Sequence, residues 1–262
     1  MLLTVGVVVG VTTALFGFGG GFVTVPVITA VDAGLGGDAI HAATATSAVV
    51  MLVNAGFATA ATRRDVLMRL GRSAPLLVLL AAGGAAGTLA GRFAPASLVR
   101  WGFVAYLAVT VVDVLARPGF FRPQRAAAEG GDARGTRGLR SRLGFPIGTV
   151  AAFLGVGGSV MTVPLMRRSG EAMSVATSLA NPLTVAIVVP AVALSLSTPA
   201  GIPHTTGFVG AVDMRAAAAL LAGAMPVILL LRRRPPRIPE TAHSVGYLLL
   251  LIASGAAVAL LG

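Results

Sequence analysis

Ten apolar runs, separated by short stretches rich in glycine or arginine, account for most of the chain, and their lengths decide what they can be. They cover 2–16, 22–31, 39–61, 75–91, 98–115, 143–154, 160–166, 172–196, 208–231 and 245–261. A helix needs about 20 apolar residues, with a range of about 17–25, to cross a hydrocarbon core of roughly 30 Å. Six of the runs meet that length. The other four are too short and fall into two pairs, each divided by glycine: Gly17-Phe18-Gly19-Gly20-Gly21 in the first and Gly155-Val156-Gly157-Gly158-Ser159 in the second.

The two breaks belong to an internal repeat. Residues 17–27 align without gaps on residues 155–165, and in both copies the break runs on into Thr-Val-Pro, at Thr24-Val25-Pro26 and Thr162-Val163-Pro164. Further along, Ala45-Thr46-Ser47 matches Ala176-Thr177-Ser178, and Asp65 and Asp213 each precede an apolar run. Between the copies lies a stretch with Arg117, Arg122, Arg125, Arg134, Arg137, Arg140 and Arg142 against only Glu129 and Asp132. The chain therefore divides into a first transmembrane repeat (1–116), an arginine-rich cytoplasmic linker (117–142) and a second transmembrane repeat (143–262).

Composition agrees with a multi-span membrane protein. Hydrophobic residues make up 56% and charged residues 11%, where soluble domains carry roughly 25% charged; the mean hydropathy is +0.89. The net charge of +11 comes with no lysine. Arginines placed in loops between apolar runs set topology and meet anionic headgroups, so no nucleic-acid partner is expected and the lipid bilayer is. With no cysteine, disulfides, thiolate metal sites and cysteine nucleophiles are excluded. The first ten residues lack a basic flank and a cleavage boundary and read as membrane-embedded sequence.

The same arginines orient the spans. Loops holding Arg63, Arg64, Arg69 and Arg72, the linker, and the Arg232–Arg237 segment belong in the cytoplasm, whereas 32–38 and 197–212 belong outside. This works when each glycine-broken pair is a re-entrant hairpin that enters and leaves on one face. Each repeat is then one hairpin plus three transmembrane helices, an odd number of crossings, so the second is inverted relative to the first. The expected fold is an all-α polytopic membrane protein of two inverted-topology repeats. Arg92 and Arg100 run against this arrangement by falling outside.

Irregular backbone at membrane depth is tolerated where protein or a water-filled cavity satisfies it, and inverted-repeat transporters put substrate at such midplane breaks. The candidate substrate-binding residues are Gly19, Gly20, Gly21, Gly157, Gly158 and Ser159, with Thr24 and Thr162 as N-caps of helices that restart at mid-membrane. Two helix N-termini facing one another make an anion site without arginine. Thr46, Ser47, Thr177, Ser178 and Asn181 add neutral donors, with Asn54 as a weaker addition. Against this stand two plainer readings: glycines serving only close helix packing, and hydroxyls bonding back to their own helices. Asp113, Asp213 and Arg215 are expected at membrane interfaces, as are His41, His204 and His243. No metal site, cofactor or catalytic residue is expected. An intramembrane serine hydrolase built on Ser159 with His204 or His243 is the rival enzyme reading, but Gly21 occupies the repeat-equivalent position and no orienting acid is evident. A cation carrier would want midplane carboxylates; a channel stays open.

The duplicated Gly-x-Gly-Gly-Gly/Ser with Val-Pro, the duplicated Ala-Thr-Ser, and Asp65 and Asp213 resemble the sulfite exporter TauE/SafE family over nearly the whole chain. The resemblance implies export of a small anion such as sulfite, a sulfonate or a related organosulfur anion through a bacterial inner membrane. A homodimer is compatible with it. Ser159 in place of a third glycine, and the lack of a first-half counterpart to Asn181, depart from a symmetric pattern and imply an asymmetric site.

Overall fold

A computed structural model of the protein describes residues 1–70, 74–117, 120–121, 141–197, 207–234, 236 and 238–261. Most of the 117–142 linker and His204 lie outside the described residues. Among those described, eleven α-helices follow in order: α1 (Leu2–Phe16), α2 (Gly21–Val31), α3 (Ala39–Ala60), α4 (Arg64–Leu67), α5 (Ala74–Phe93), α6 (Ala96–Ala116), α7 (Gly144–Leu154), α8 (Ser159–Arg168), α9 (Met173–Ser197), α10 (Met214–Arg233) and α11 (Glu240–Leu261). Six of them, α3, α5, α6, α9, α10 and α11, are long and apolar enough to cross a membrane, and α1, α2 and α7 are short apolar helices. The apolar run starting at 208 opens with a two-residue β-hairpin, Phe208–Val209 against Val212–Asp213, before α10 begins. Asp213 caps that helix, its carboxylate accepting the amides of Arg215 and Ala216 at 2.9 and 3.0 Å.

The breaks have a common backbone cause. Gly17 (φ 71°) ends α1 and Gly155 (φ 68°) ends α7, both in the left-handed conformation that stops a helix and favours glycine. The chain restarts earlier than the Thr-Val-Pro motif suggests. Gly20 and Gly158 stand at the N-cap positions, so Thr24 and Thr162 lie a full turn inside α2 and α8 and cap neither helix. Thr24 bonds back to the Gly20 carbonyl at 3.0 Å, the route a mid-helix hydroxyl takes to a carbonyl one turn behind. Pro26 and Pro164 are then interior prolines, each leaving the carbonyl four residues earlier without its helical donor.

The halves exchange partners. α1 lies along α10, and α7 lies along α5. A methyl group on Gly6 would sit 2.4 Å from the Leu220 carbonyl oxygen, and one on Gly148 would sit 2.3 Å from that of Leu80. At these crossings the packing reading of glycine holds. Successive contacts run Gly6–Leu220 then Gly10–Ala224, and Gly144–Leu76 then Gly148–Leu80, so each pair of helices is parallel. α3 packs on α9 through the centre, and residues near the start of α3 share a cavity with residues near the end of α9, so these two run oppositely.

At the end of the molecule where α2 leads toward α3, Asp32 is half-buried and its Oδ2 is enclosed with no hydrogen-bond partner among the described residues. Burial, with the neighbouring Asp213 carboxylate, raises its pKa from 3.8 to about 6. The folded protein therefore holds a proton there that the unfolded chain releases nearer 3.8. That stabilisation is complete below 3.8 and is lost as pH rises through about 6. Asp32→Asn is expected to raise the melting temperature of the purified protein at pH 7.5 and leave it unchanged at pH 3.5; equal shifts at both pH values would refute this.

Candidate functional site

The two breaks meet at the centre of the bundle with one side chain from each central helix between them. A Cβ placed on Gly19 would lie 3.3 Å from Met51 and 3.4 Å from Thr184; one on Gly157 would lie 3.0 Å from the Met51 sulfur and 3.1 Å from Thr184. Ser47 ties the breaks together, its hydroxyl donating to the Gly155 carbonyl at 2.9 Å and, less closely, to that of Gly21 at 3.3 Å. Asn54 donates through Nδ2 to the Gly19 carbonyl at 3.4 Å. Four sequence candidates, Gly19, Gly21, Ser47 and Gly157, thus gather here with Asn54. Gly20 adjoins Asn54 and Thr13, and Gly158 adjoins Ile187.

The remaining candidates divide. Ser159, Thr162 and Asn181 are fully buried, and Ser159 Oγ, Thr162 Oγ1 and Asn181 Oδ1 have no hydrogen-bond partner among the described residues. Thr13 Oγ1, Asn54 Oδ1 and Thr184 Oγ1 share that condition. An unmade hydrogen bond on a buried polar atom costs about 1–3 kcal/mol, and these six atoms belong to the breaks and to the helices packed on them. Thr177 and Asn181 also bond within α9, to the Ser174 and Thr177 carbonyls. Thr46 and Ser178 lie elsewhere: Thr46 accepts the Asp213 amide at 3.0 Å, and Ser178 faces Arg232 Nη1 at 3.4 Å.

Contacts around the breaks also correct the register of the second repeated motif. Gly155 abuts Thr44 where Gly17 abuts Thr177; Gly158 abuts Ile187 where Gly20 abuts Asn54; and Met51 and Thr184 each touch both Gly19 and Gly157. In space, Thr44 pairs with Thr177, Met51 with Thr184 and Asn54 with Ile187, two residues out of step with the Ala-Thr-Ser match. Ser47 therefore stands opposite Ala180, and Asn181 opposite Ala48. The asymmetry expected from Ser159 and Asn181 extends to Ser47 and Asn54.

One side of the centre is plugged. Phe18 stacks edge-on with Phe22 at 4.0 Å between ring centroids and packs on Tyr247 at 4.7 Å, while Phe120 closes on Tyr247 at 5.4 Å. The Tyr247 hydroxyl donates to the Val160 carbonyl at 3.1 Å, the acceptor that Pro164 leaves without its helical donor. Beyond this cluster Arg167, with no exposed surface, donates Nε and Nη2 to the Phe120 carbonyl at 3.1 and 2.8 Å and Nη1 to that of Glu171 at 3.0 Å, and pairs with Glu240 at 2.8 Å. Arg168 pairs with Asp113 at 2.6 Å. His243 contacts the Leu15 carbonyl through Nε2 at 2.6 Å, so its ring is held by α1 and not by Ser159.

On the opposite side a cavity of about 280 Å³ opens between α3, α5, α7 and α9. Asp38, His41 and Arg92 lie among its lining with Thr44, Ala48, Thr88 and Ser195, and it reaches Met51 and Gly155. None of the thirteen sequence candidates lines it. Met51, which touches both breaks, carries no sequence signal, being a methionine in an apolar run. Tyr247 was discoverable, since an interior proline leaves a carbonyl that some nearby donor must meet.

A family model described as sulfite exporter TauE/SafE matches residues 2–258. No curated protein and no solved structure matches the chain.

Proposed function

Since the chain belongs to the sulfite exporter TauE/SafE family, a family of membrane transporters of sulfur anions, we propose that it exports a small anion, sulfite, a sulfonate or a related organosulfur or carboxylate anion, by alternating access through the glycine centre, in a bacterial inner membrane. The observation that carries this reading is the meeting of the two breaks: Ser47 bridges them, six unpartnered polar atoms belong to them and to the helices packed on them, and the side chains gathered there carry no charge. α2 and α8 both start at the breaks, so the positive ends of their dipoles and their first amides add to the neutral donors. Such a site holds an oxyanion without the grip of a buried arginine, which favours release. An inside-negative potential drives a monoanion outward with roughly 2.3 kcal/mol per 100 mV, so a facilitated exporter needs no further energy source.

Re-entrant hairpins and inverted repeats fit the packing. The parallel pairs α1/α10 and α7/α5, the opposed α3 and α9, and the closeness of Asp32 to Asp213 support one pair of short helices turning back on each face. The arginine-rich end that holds Arg167, Arg168 and Arg232 is then cytoplasmic.

The reading is tested by uptake into inside-out vesicles of sulfite, a taurine-like sulfonate and a dicarboxylate, with and without an imposed lumen-positive potential. Uptake of at least one sulfur anion, increased by the potential, is expected; no protein-dependent uptake of any would overturn it. Ser159→Ala is expected to retain most of that uptake, because Gly21 at the repeat-equivalent position supplies only backbone and the other neutral groups around the breaks remain in place. A loss as complete as a nucleophile deletion would favour the hydrolase instead.

A further inference from the structure

The cavity on the side away from the aromatic plug has the parts of a binding site in its own right. Its lining includes Arg92, His41, Thr44, Thr88, Ser195 and Met51, with the Thr44 and Thr88 hydroxyls donating to the His41 and Gly84 carbonyls of their own helices. Arg92 is exposed, with its guanidinium 5.9 Å from the Phe93 ring centroid. Met51 itself is 1% exposed and also touches the Cβ positions of Gly19, Gly21 and Gly157. One thioether therefore lies between the cavity and Gly19, Gly21 and Gly157, while Gly155 of the second break lines the cavity itself. A methionine side chain is unbranched and adaptable, suited to closing an irregular gap and to moving aside.

We propose that this cavity is a second anion station on the external side, where Arg92 holds a small sulfonate or sulfite ion and Met51 shuts the floor against the glycine centre. The proposal rests on the export reading for its direction. The oxyanion chemistry that Arg92 recognises is shared by free anions and lipid phosphates; the reach of the cavity from Arg92 inward to Met51 favours the free ion. Asp38 at the same cavity opposes anion entry and so sets the strength of the preference.

The natural absence of cysteine lets single replacements report cleanly. Ala48→Cys, inside the cavity, is expected to react from outside several-fold faster with an anionic than with a cationic methanethiosulfonate, and methanesulfonate should slow both reactions. The preference should shrink as salt rises, because the Debye length falls from about 10 Å at 0.1 M to about 3 Å at 1 M. Arg92→Gln should erase the preference and the protection, Arg92→Lys should keep the preference, and Asp38→Asn should enlarge it. Thr184→Cys, beyond Met51, should react much more slowly than Ala48→Cys until Met51→Ala brings it to a comparable rate.

Reaction at Ala48→Cys indifferent to reagent charge and to Arg92 would overturn the station, as would fast reaction at Thr184→Cys with Met51 in place. Protection in vesicles of anionic lipid, with none from methanesulfonate in zwitterionic vesicles, would assign Arg92 to headgroups and overturn it too. Vesicle uptake separates the two readings. Export with charge-indifferent labelling removes the station alone, whereas no uptake of any anion removes the export reading whatever the labelling shows.

Discussion

Gly158→Val is expected to abolish anion export while leaving the protein folded, and Gly20→Val to lose both export and fold. The difference comes from the backbone. Gly20 sits at φ 98°, and a Cβ there would stand 2.4 Å from the Val9 Cγ1 atom. A left-handed conformation costs a branched residue about 1–2 kcal/mol, and overpacking adds about 1–3 kcal/mol, together a large part of the roughly 5–15 kcal/mol that holds a protein folded. Gly158 lies at φ −78°, an ordinary helical value, and its added Cβ meets the Ile187 Cδ1 at 2.6 Å, the far end of a side chain that can turn aside. Valine there fills space at the N-terminus of α8, beside Thr162, and leaves the backbone unstrained. Vesicle uptake measured alongside melting temperature separates the two outcomes. Full export by Gly158→Val would remove the second break from the transport path.

Arg167→Leu should destabilise the protein by about 1–3 kcal/mol for each carbonyl it leaves without a donor. The change strips the Phe120 carbonyl of both its guanidinium bonds, the Glu171 carbonyl of one and Glu240 of its ion-pair partner. Glu240→Gln should cost much less, because the Glu240 side chain is 45% exposed and its Oε1 still accepts the Met173 amide. Denaturant unfolding in detergent would show the contrast; equal losses for the two variants would mean that the ion pair, and not the carbonyl network, secures this end.

Much of the architecture was legible because membrane depth imposes length. The six long helices, the four short apolar runs and the glycine breaks followed from counting apolar residues and from the duplicated motif. The restart of the short helices is less legible, since Thr followed two residues later by Pro reads as a cap, whereas glycine starts both helices and the Thr24 hydroxyl turns back on its own turn. The Ala-Thr-Ser match fails through rotation: two residues along a helix is about 200° around its axis, so Thr46 reaches the Asp213 amide while Thr177, its match in the motif, lies against Gly17. Met51 and Thr184, the actual counterparts at the centre, are chemically unlike and share no sequence signal. Arg92 looked like an exception to the topology; in the folded protein it lines the cavity that leads toward the centre.

The exchange of partners between the halves has a consequence for biosynthesis. Among the described residues, the α1 face carrying Gly6 and Gly10 packs on α10, and the α5 face carrying Gly83 and Gly87 packs on α7. A ribosome that has finished the first half has made two docking surfaces whose mates do not yet exist. Assembly is therefore a late, long-range event that closes large loops, and neither half can complete its packing alone. A chain severed in the linker would have to be rejoined by producing both pieces in the same membrane.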